Sequence, residues 1–344
     1  MNKHKQTILI TGGAGFIGAN FITYFVKKYP NYHLLNLDLL TYAGSQDNLA
    51  EVEHLPNYQF FHGDIADEQL VHDIFSDYPI TGVIHFAAES HVDRSIQSAK
   101  SFVTTNVLGT FTLLNAAKDA WQNQGTLFEN RFHQISTDEV YGALGEKGQF
   151  TEETPYDPRN PYSASKAGAN MLVKSFGYTH GMNIIISSSS NNYGPMQHHE
   201  KLIPTIISNA LACRPIPLYG DGQNVRDWLH VKDHCRALDN IYHHGKTLNT
   251  YNVGGGNEKA NIDVAVAICE ILDQLRPTVR KNANLSSFKE LITFTEDRLG
   301  HDRRYAIDDT KLRQEMGWKP KIHLDTGLKE TIEWYVEKWD RITL

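Results

Sequence analysis

Cysteine is scarce in this chain of 344 residues: Cys213, Cys235 and Cys269 are the only three, and no two stand at C-x-x-C spacing. That excludes a disulfide scaffold and a thiol zinc motif, and it fits a reducing compartment such as the cytoplasm. The three thiols read as small buried apolar side chains. Long apolar runs are missing too. No stretch approaches the roughly 18 apolar residues of a membrane span, and Met1 to Gln6 are too few and too polar for a secretory signal. Runs of lysine or arginine are absent and the formal net charge is -7, which argues against a general nucleic-acid surface. Histidine is abundant, but His198-His199 and His243-His244 are adjacent pairs without the i, i+4 spacing of a helical metal site. No metal is expected. There is no internal repeat and no low-complexity segment.

What is present is alternation. Short apolar runs at Ile8–Thr11, Leu34–Asp38, Gln59–His62, Val83–Ala87, Phe132–Ser136 and Asn183–Ser187 read as strands. Helical patterns separate them: Phe16 to about Tyr29, Glu68–Phe75, Ser101–Trp121 and Tyr162–Tyr178. Such order implies βαβ units, an α/β fold of the Rossmann type with a doubly wound parallel sheet. Beyond about residue 190 the pattern loosens, with Pro195, Pro204, Pro215, Pro217 and Gly254-Gly255-Gly256 as punctuation. Ile262–Leu275 and the face Leu328, Ile332, Tyr335, Val336, Trp339 predict helices, with Asp325 as N-cap of the second. Tyr251-Asn252-Val253 reads as one more strand, returning to the first sheet. The division expected is therefore a nucleotide-binding domain over 1–190 with a return near 227–254. A smaller, mostly helical substrate-binding domain takes 191–226 and 255–344.

Gly12, Gly15 and Gly18 follow the first strand and open a helix, so backbone amides and the helix dipole face whatever anion approaches. Glycine permits the tight turn and the close approach of a pyrophosphate. Asp38 ends the next strand, 20 residues past Gly18, where a carboxylate accepts from a ribose 2'-hydroxyl and repels a 2'-phosphate. No arginine follows, which favours NAD over NADP. Asp64 is placed either to reach the adenine edge or simply to make a turn.

Tyr162 and Lys166 are four apart and share a helix face. A lysine ammonium beside a phenol favours the phenolate, so tyrosine can take a proton near neutral pH. Thr137-Asp138-Glu139 lies at the carboxyl end of a strand, the edge where ligands bind in open α/β sheets. Two neighbouring carboxyls there can be driven to different protonation states, one an acid and the other a base, with Thr137 orienting substrate. Alcohol oxidation alone does not require that pair.

Together these residues resemble the extended short-chain dehydrogenase/reductase superfamily and, within it, the dTDP-glucose 4,6-dehydratases, a family of hydro-lyases. The similarity runs along nearly the whole chain. It rests on Thr11–Gly18, His85–Ser95, Ser136–Gly142, Asn191–Pro195, Glu200–Pro204, Arg226-Asp227-Trp228, Asn257-Glu258-Lys259 and His301–Tyr305. The resemblance implies that Tyr162 takes the O4 proton while C4 is oxidised by NAD. Glu139 then removes the C5 proton, Asp138 protonates the departing C6 hydroxyl, and hydride returns to C6. The product is a 4-keto-6-deoxy sugar nucleotide for deoxysugar synthesis, such as that of rhamnose. Alternatives are a UDP- or GDP-sugar 4,6-dehydratase or a 4-epimerase, and, outside enzymes, an NAD-binding sensor.

By position, the resemblance lines the cofactor with Phe16, Ile17, Thr41, Asp64, Ile65, Phe86, Ala87, Ala88, Thr105 and Asn192, besides the glycines, Asp38, Tyr162 and Lys166. It gives the sugar nucleotide Ser90, Thr137, Asn191, Lys201, Leu202, Pro217, Tyr219, Arg226, Asn261, Asp297, Arg298 and His301. Arg226 suits a diphosphate because its planar fork binds two oxygens at once. A homodimer joined through Ser101–Trp121 and Tyr162–Tyr178 is also implied. The chain departs from the family pattern at Leu39, where a lysine is usual, and at Ser188, Ser189, Met196, His199 and Leu299. None of these removes a catalytic group.

Overall fold

Aliphatic and β-branched residues give the first strands no polar face, so both sides of the sheet they form must be covered. In the computed structural model, which describes residues 6–297 and 301–343, they are. The strands are β1 (Gln6–Thr11), β2 (Tyr32–Asp38), β3 (Tyr58–His62), β4 (Gly82–His85), β5 (Arg131–Thr137), β6 (Asn183–Ser189), β7 (Asn191–Tyr193), β8 (Ile216–Tyr219), β9 (Val225–His230), β10 (Thr250–Val253), β11 (Glu258–Ala260) and β12 (Ile292–Thr295). Seven of them make one parallel sheet in the order β10-β6-β5-β4-β1-β2-β3. The order reverses direction at β1, whose neighbours are β2 and β4, and a crevice opens there beyond the carboxyl ends.

Helices α1 (Phe16–Lys28), α2 (Glu68–Asp77), α3 (Val92–Gln97), α4 (Lys100–Phe102), α5 (Thr110–Gln124), α6 (Pro161–His180), α7 (Leu202–Leu211), α8 (Val231–His244), α9 (Asn261–Leu275), α10 (Pro277–Asn282), α11 (Thr310–Met316) and α12 (Leu324–Thr343) accompany the strands. Alternation along β1 shows how the sheet is sandwiched. Ile8 and Ile10 pack with Ile22 and Phe25 of α1 and Leu238 of α8. Leu9 points the other way, toward Leu113 and Trp121 of α5 and Val173 of α6.

A second core gathers Ile206 and Ile207 of α7, Ile268 and Leu272 of α9, and Leu328 and Ile332 of α12. Two small sheets edge it, β11-β9-β7 and β12-β8. Tyr251 to Val253 fall in β10, which lies parallel to β6 on the first sheet. Among the described residues, no helix is long and apolar enough to cross a membrane.

Three local expectations differ from the structure. The helix expected over Ser101–Trp121 is interrupted: Val103–Gly109 forms a π-helical turn between α4 and α5. The wider turn buries Asn106, whose side chain accepts from the Glu89 amide at 2.8 Å and donates to the Glu89 carbonyl at 3.0 Å. Asp325 is not a cap, because α12 already begins at Leu324 and Asp325 sits in its first turn. β4 ends at His85, so Ala87 of the expected strand belongs to the loop beyond; β3 ends at His62, as expected, with Asp64 in the loop after it. Asp64 there closes a turn by accepting from the Ala66 amide at 2.9 Å.

Asp233 ties the two cores together. It is fully buried on α8, accepts from the amides of Lys321 and Ile322 just before α12, and pairs with Arg236. Asp233→Ala leaves these donors without their acceptor and should cost about 3–5 kcal/mol of stability. A denaturant midpoint unchanged from the parent protein would show that this junction does not hold α12 in place.

Candidate active site

The glycine loop is closed by backbone contact rather than by side chains. Gly12 has φ +71°, and a Cβ there would lie 2.5 Å from the Ala87 amide nitrogen, so the loop admits only glycine. Gly15 stands at the N-cap of α1 with no side-chain cap, and the first turn holds no acidic residue. The helix thus offers unpaired amides to the crevice, which fits an anion. Asp38 accepts from the Ala14 amide and the Leu40 amide, each at 2.8 Å. Burial raises its pKa, and those two hydrogen bonds pull back toward the carboxylate. Asn36 braces the loop from β2 by accepting from the Gly13 amide at 3.1 Å. A phosphate-accepting helix end, a close-packed glycine and a fixed carboxylate on the next strand suit NAD.

The catalytic candidates sit on the far side of the switch point. Asn160 caps α6 by accepting from the Ser163 amide, with Pro161 in the first turn, and this starts the helix one residue before Tyr162. Lys166 lies one turn on. Its ammonium donates to the Ile135 carbonyl of β5 at 2.8 Å, and burial brings its pKa down to about 8. Thr137 ends β5 and caps the short turn Asp138–Tyr141 by accepting from the Glu139 amide at 3.3 Å. Asp138 is 2% exposed. Its carboxyl is driven well above the usual carboxylate range, by burial first and then by the charges of Glu139 and Asp227. That shift favours the protonated acid. Its Oδ2 has no hydrogen-bond partner among the described residues.

One expectation about Tyr162 needs correcting. Its phenol is pushed up, by burial and by Glu139, with a hydrogen bond from Thr137 opposing. Lys166 is not what sets that balance in the protein alone, because its ammonium is engaged with β5.

A single cleft brings most of these residues together. It is lined by the glycines, Phe16, Ile17, Asp38 and Thr41 on one side of the switch point. Asp64, Ile65, Phe86, Ala87, Ala88 and Thr105 continue it, and Thr137, Asp138, Glu139, Tyr162, Lys166 and Asn192 close the catalytic end. Of the residues expected to hold substrate, Ser90, Asn191 and Lys201 line the same wall. Leu202, Pro217, Tyr219, Arg226, Asn261, Asp297 and His301 do not. They belong to the second unit, where Tyr219 reaches across to donate to Asp93 at 3.3 Å and His301 meets Asp297 at 2.6 Å. Asn261 keeps a buried Oδ1 with no partner among the described residues. Arg226 is neither exposed nor open at both arms: it donates to the Asp302 and Val225 carbonyls and stacks on Tyr305. Arg298 and Leu299 lie outside the described residues.

The cleft also contains Leu39, noted above only as a departure, and His198, noted only as half of a histidine pair, together with Glu89, Ser190, Gln197 and Glu200, which were not singled out from the sequence. Asn191, Asn192 and Gln197 each carry a buried oxygen without a partner among the described residues. Glu200 sits in the Glu-Lys-Leu-Ile-Pro run that marked Lys201, so the signal for it was at hand. Gln197 and His198 carried none, because only the chain's turn after Pro195 aims them here.

Known proteins resemble this chain along its length. The sequence pattern of the GDP-mannose 4,6 dehydratase family matches residues 9–331. A probable dTDP-glucose 4,6-dehydratase from Sinorhizobium fredii is 51% identical over 335 residues, covering 96% of this chain and 93% of the relative. The dTDP-glucose 4,6-dehydratase of Haemophilus influenzae is 48% identical, covering 96% and 98%. In structure, DesIV of Streptomyces venezuelae, a dTDP-glucose 4,6-dehydratase crystallised with NAD, superposes with a TM-score of 0.86 at 39% identity over 98% of both chains.

Asp38→Ala should weaken NAD binding by about 10- to 100-fold, the loss of a charge-assisted hydrogen bond. It should also relax discrimination against NADP. Calorimetric titration of cofactor-stripped protein decides this, and equal NAD affinity in parent and variant would refute the role given to Asp38.

Proposed function

This chain belongs to the GDP-mannose 4,6-dehydratase family of extended short-chain dehydrogenase/reductases, and we propose that its reaction is the NAD-dependent dehydration of dTDP-glucose to dTDP-4-keto-6-deoxyglucose. The observation that carries this reading is Asp138. A buried carboxyl whose acid form is favoured, beside a second carboxyl and in one cleft with Tyr162 and Lys166, is an elimination apparatus set into an oxidation site. A 4-epimerase has no use for that acid. Relatives close to half identical over nearly the full length bear the dTDP-glucose name, which supports the nucleotide.

When bound, NAD supplies the hydride acceptor at C4 and the hydride donor at C6, and it brings a positive ring charge into a cleft whose carboxylates raise Tyr162. The chain's own groups move the protons. Tyr162, as phenolate, takes the proton of the sugar O4 as C4 becomes a ketone. The ketone acidifies the C5 hydrogen, and Glu139 removes it. Asp138 gives its proton to the C6 hydroxyl, which leaves as water. C5 then recovers a proton as C6 is reduced, so one water is lost with no net oxidation. Thr137 orients the sugar. Lys166 stands at the same end of the cleft, and its lowered pKa sets the alkaline limit.

In this reading the unit formed by 191–226 and 255–344 takes the sugar nucleotide, with Arg226, Asp297 and His301 toward its diphosphate and base. The enzyme is placed in the cytoplasm as a homodimer. Support for the dimer is the row of exposed apolar side chains Val103, Leu108, Phe111, Met171 and Tyr178 along the π turn, α5 and α6.

The test is to incubate the protein with dTDP-glucose, UDP-glucose and GDP-mannose separately and weigh the products. Loss of one water from dTDP-glucose alone is expected; loss from another nucleotide would reassign the substrate. Tyr162→Phe should abolish turnover while the circular dichroism spectrum stays that of the parent. Because Lys166 loses its proton as pH rises through about 8, kcat should fall there and be retained below it. A rate still climbing well above that pH would remove Lys166 from its role.

A further inference from the structure

Met196 carries a backbone conformation that a side chain disfavours: φ is +70°, in the left-handed region, directly after Gly194-Pro195. Strain of this kind persists only where the surroundings hold it. Here they hold both neighbours. On one side, Asn20 of α1 donates its amide to the Pro195 carbonyl at 3.0 Å. On the other, Tyr335 of α12 donates its hydroxyl to the Gln197 carbonyl. The side chain of Gln197 turns back to donate to the Asn192 carbonyl at 2.9 Å. Met196 itself packs against the core of the first sheet, whereas Tyr335 packs against the core of the second unit.

The strained turn directs residues 197–201 toward the active site. Gln197, His198, Glu200 and Lys201 all line the catalytic cleft. Lys201 donates to the Ser90 carbonyl at 3.1 Å, and Glu200 accepts from Tyr42 at 3.2 Å. Burial pushes the Tyr335 phenol up, so it stays a neutral donor throughout the working pH range. Nothing in the proposed reaction requires Tyr335, and it does not line the cleft.

We propose that Tyr335 is a positioning residue. From the last helix it fixes the Met196 turn and so places the 197–201 segment against the sugar nucleotide. The consequence for substrate rests on the dehydratase reading above; the consequence for the loop does not.

Tyr335→Phe removes one hydroxyl and keeps the ring, so the second core remains filled. Hydrogen exchange read by mass spectrometry should show the 195–201 segment exchanging about tenfold faster than in the parent, with α12 unchanged. With dTDP-glucose, KM should rise about five- to tenfold while kcat stays within about twofold. Unchanged exchange over 195–201 overturns the proposal, whatever the parent's activity. Faster exchange spread equally through α12 overturns it too, since that reports only a loosened helix. A fall in kcat at constant KM rejects the placement of substrate. If the parent converts no dTDP-glucose, the dehydratase reading fails, and the exchange comparison still decides whether Tyr335 holds the loop.

Discussion

One buried hydrogen bond joins the two halves of the chemistry. Lys166 donates from α6 to the carbonyl of Ile135 on β5, at 2.8 Å. Two residues farther along that strand stands Thr137, then Asp138 and Glu139. Asn170 repeats the link one turn later by donating to Ser136 at 2.7 Å. The helix that carries the phenol and the strand end that carries the carboxyls are thereby held as one body. Without this, an acid–base pair and a redox pair would be two features of one fold. With it, they share one cleft. The low dielectric that makes the ammonium hydrogen bond strong also raises the Asp138 carboxyl and brings Lys166 down to about 8.

Much of the fold was legible because buried parallel strands leave little choice of residue. Ile8 to Ile10 is apolar on both faces, Leu34 to Asp38 and Phe132 to Ser136 are buried on both, and each lies within an observed strand. The return of Tyr251–Val253 to the sheet was legible for the same reason. What was hidden depended on hydrogen bonds between distant segments. The π turn at Val103–Gly109 exists where Asn106 reaches Glu89, and no local periodicity announces it. Asp325 looked like a cap because aspartate is a good one, but the preceding residue already belongs to α12.

The site divides along the same line. The glycine loop, Asp38, Tyr162 and Lys166 were readable because their spacing is set by one strand–helix unit or one helical turn. Asp138 and Glu139 were readable as a pair at a strand end, although the upward shift of Asp138 emerged only from burial. The sugar-nucleotide side was harder. Its candidates are spread over β8, β9, α9 and the loop before α11, and Arg226 turned out to spend part of its fork on backbone carbonyls. No local pattern signals that a tyrosine on the last helix contacts the loop behind Pro195.

The claim at the centre is that oxidation, elimination and reduction occur on one substrate in one cleft, with no net change in the cofactor. The direct measurement uses dTDP-glucose deuterated at C4, protein without added NAD, and mass spectrometry with magnetic resonance of the product. Loss of one water with the deuterium retained and now on C6 is the expected result. Deuterium lost to solvent, or left on the cofactor with a stalled 4-ketone, would contradict it and separate the acid–base pair from the redox pair.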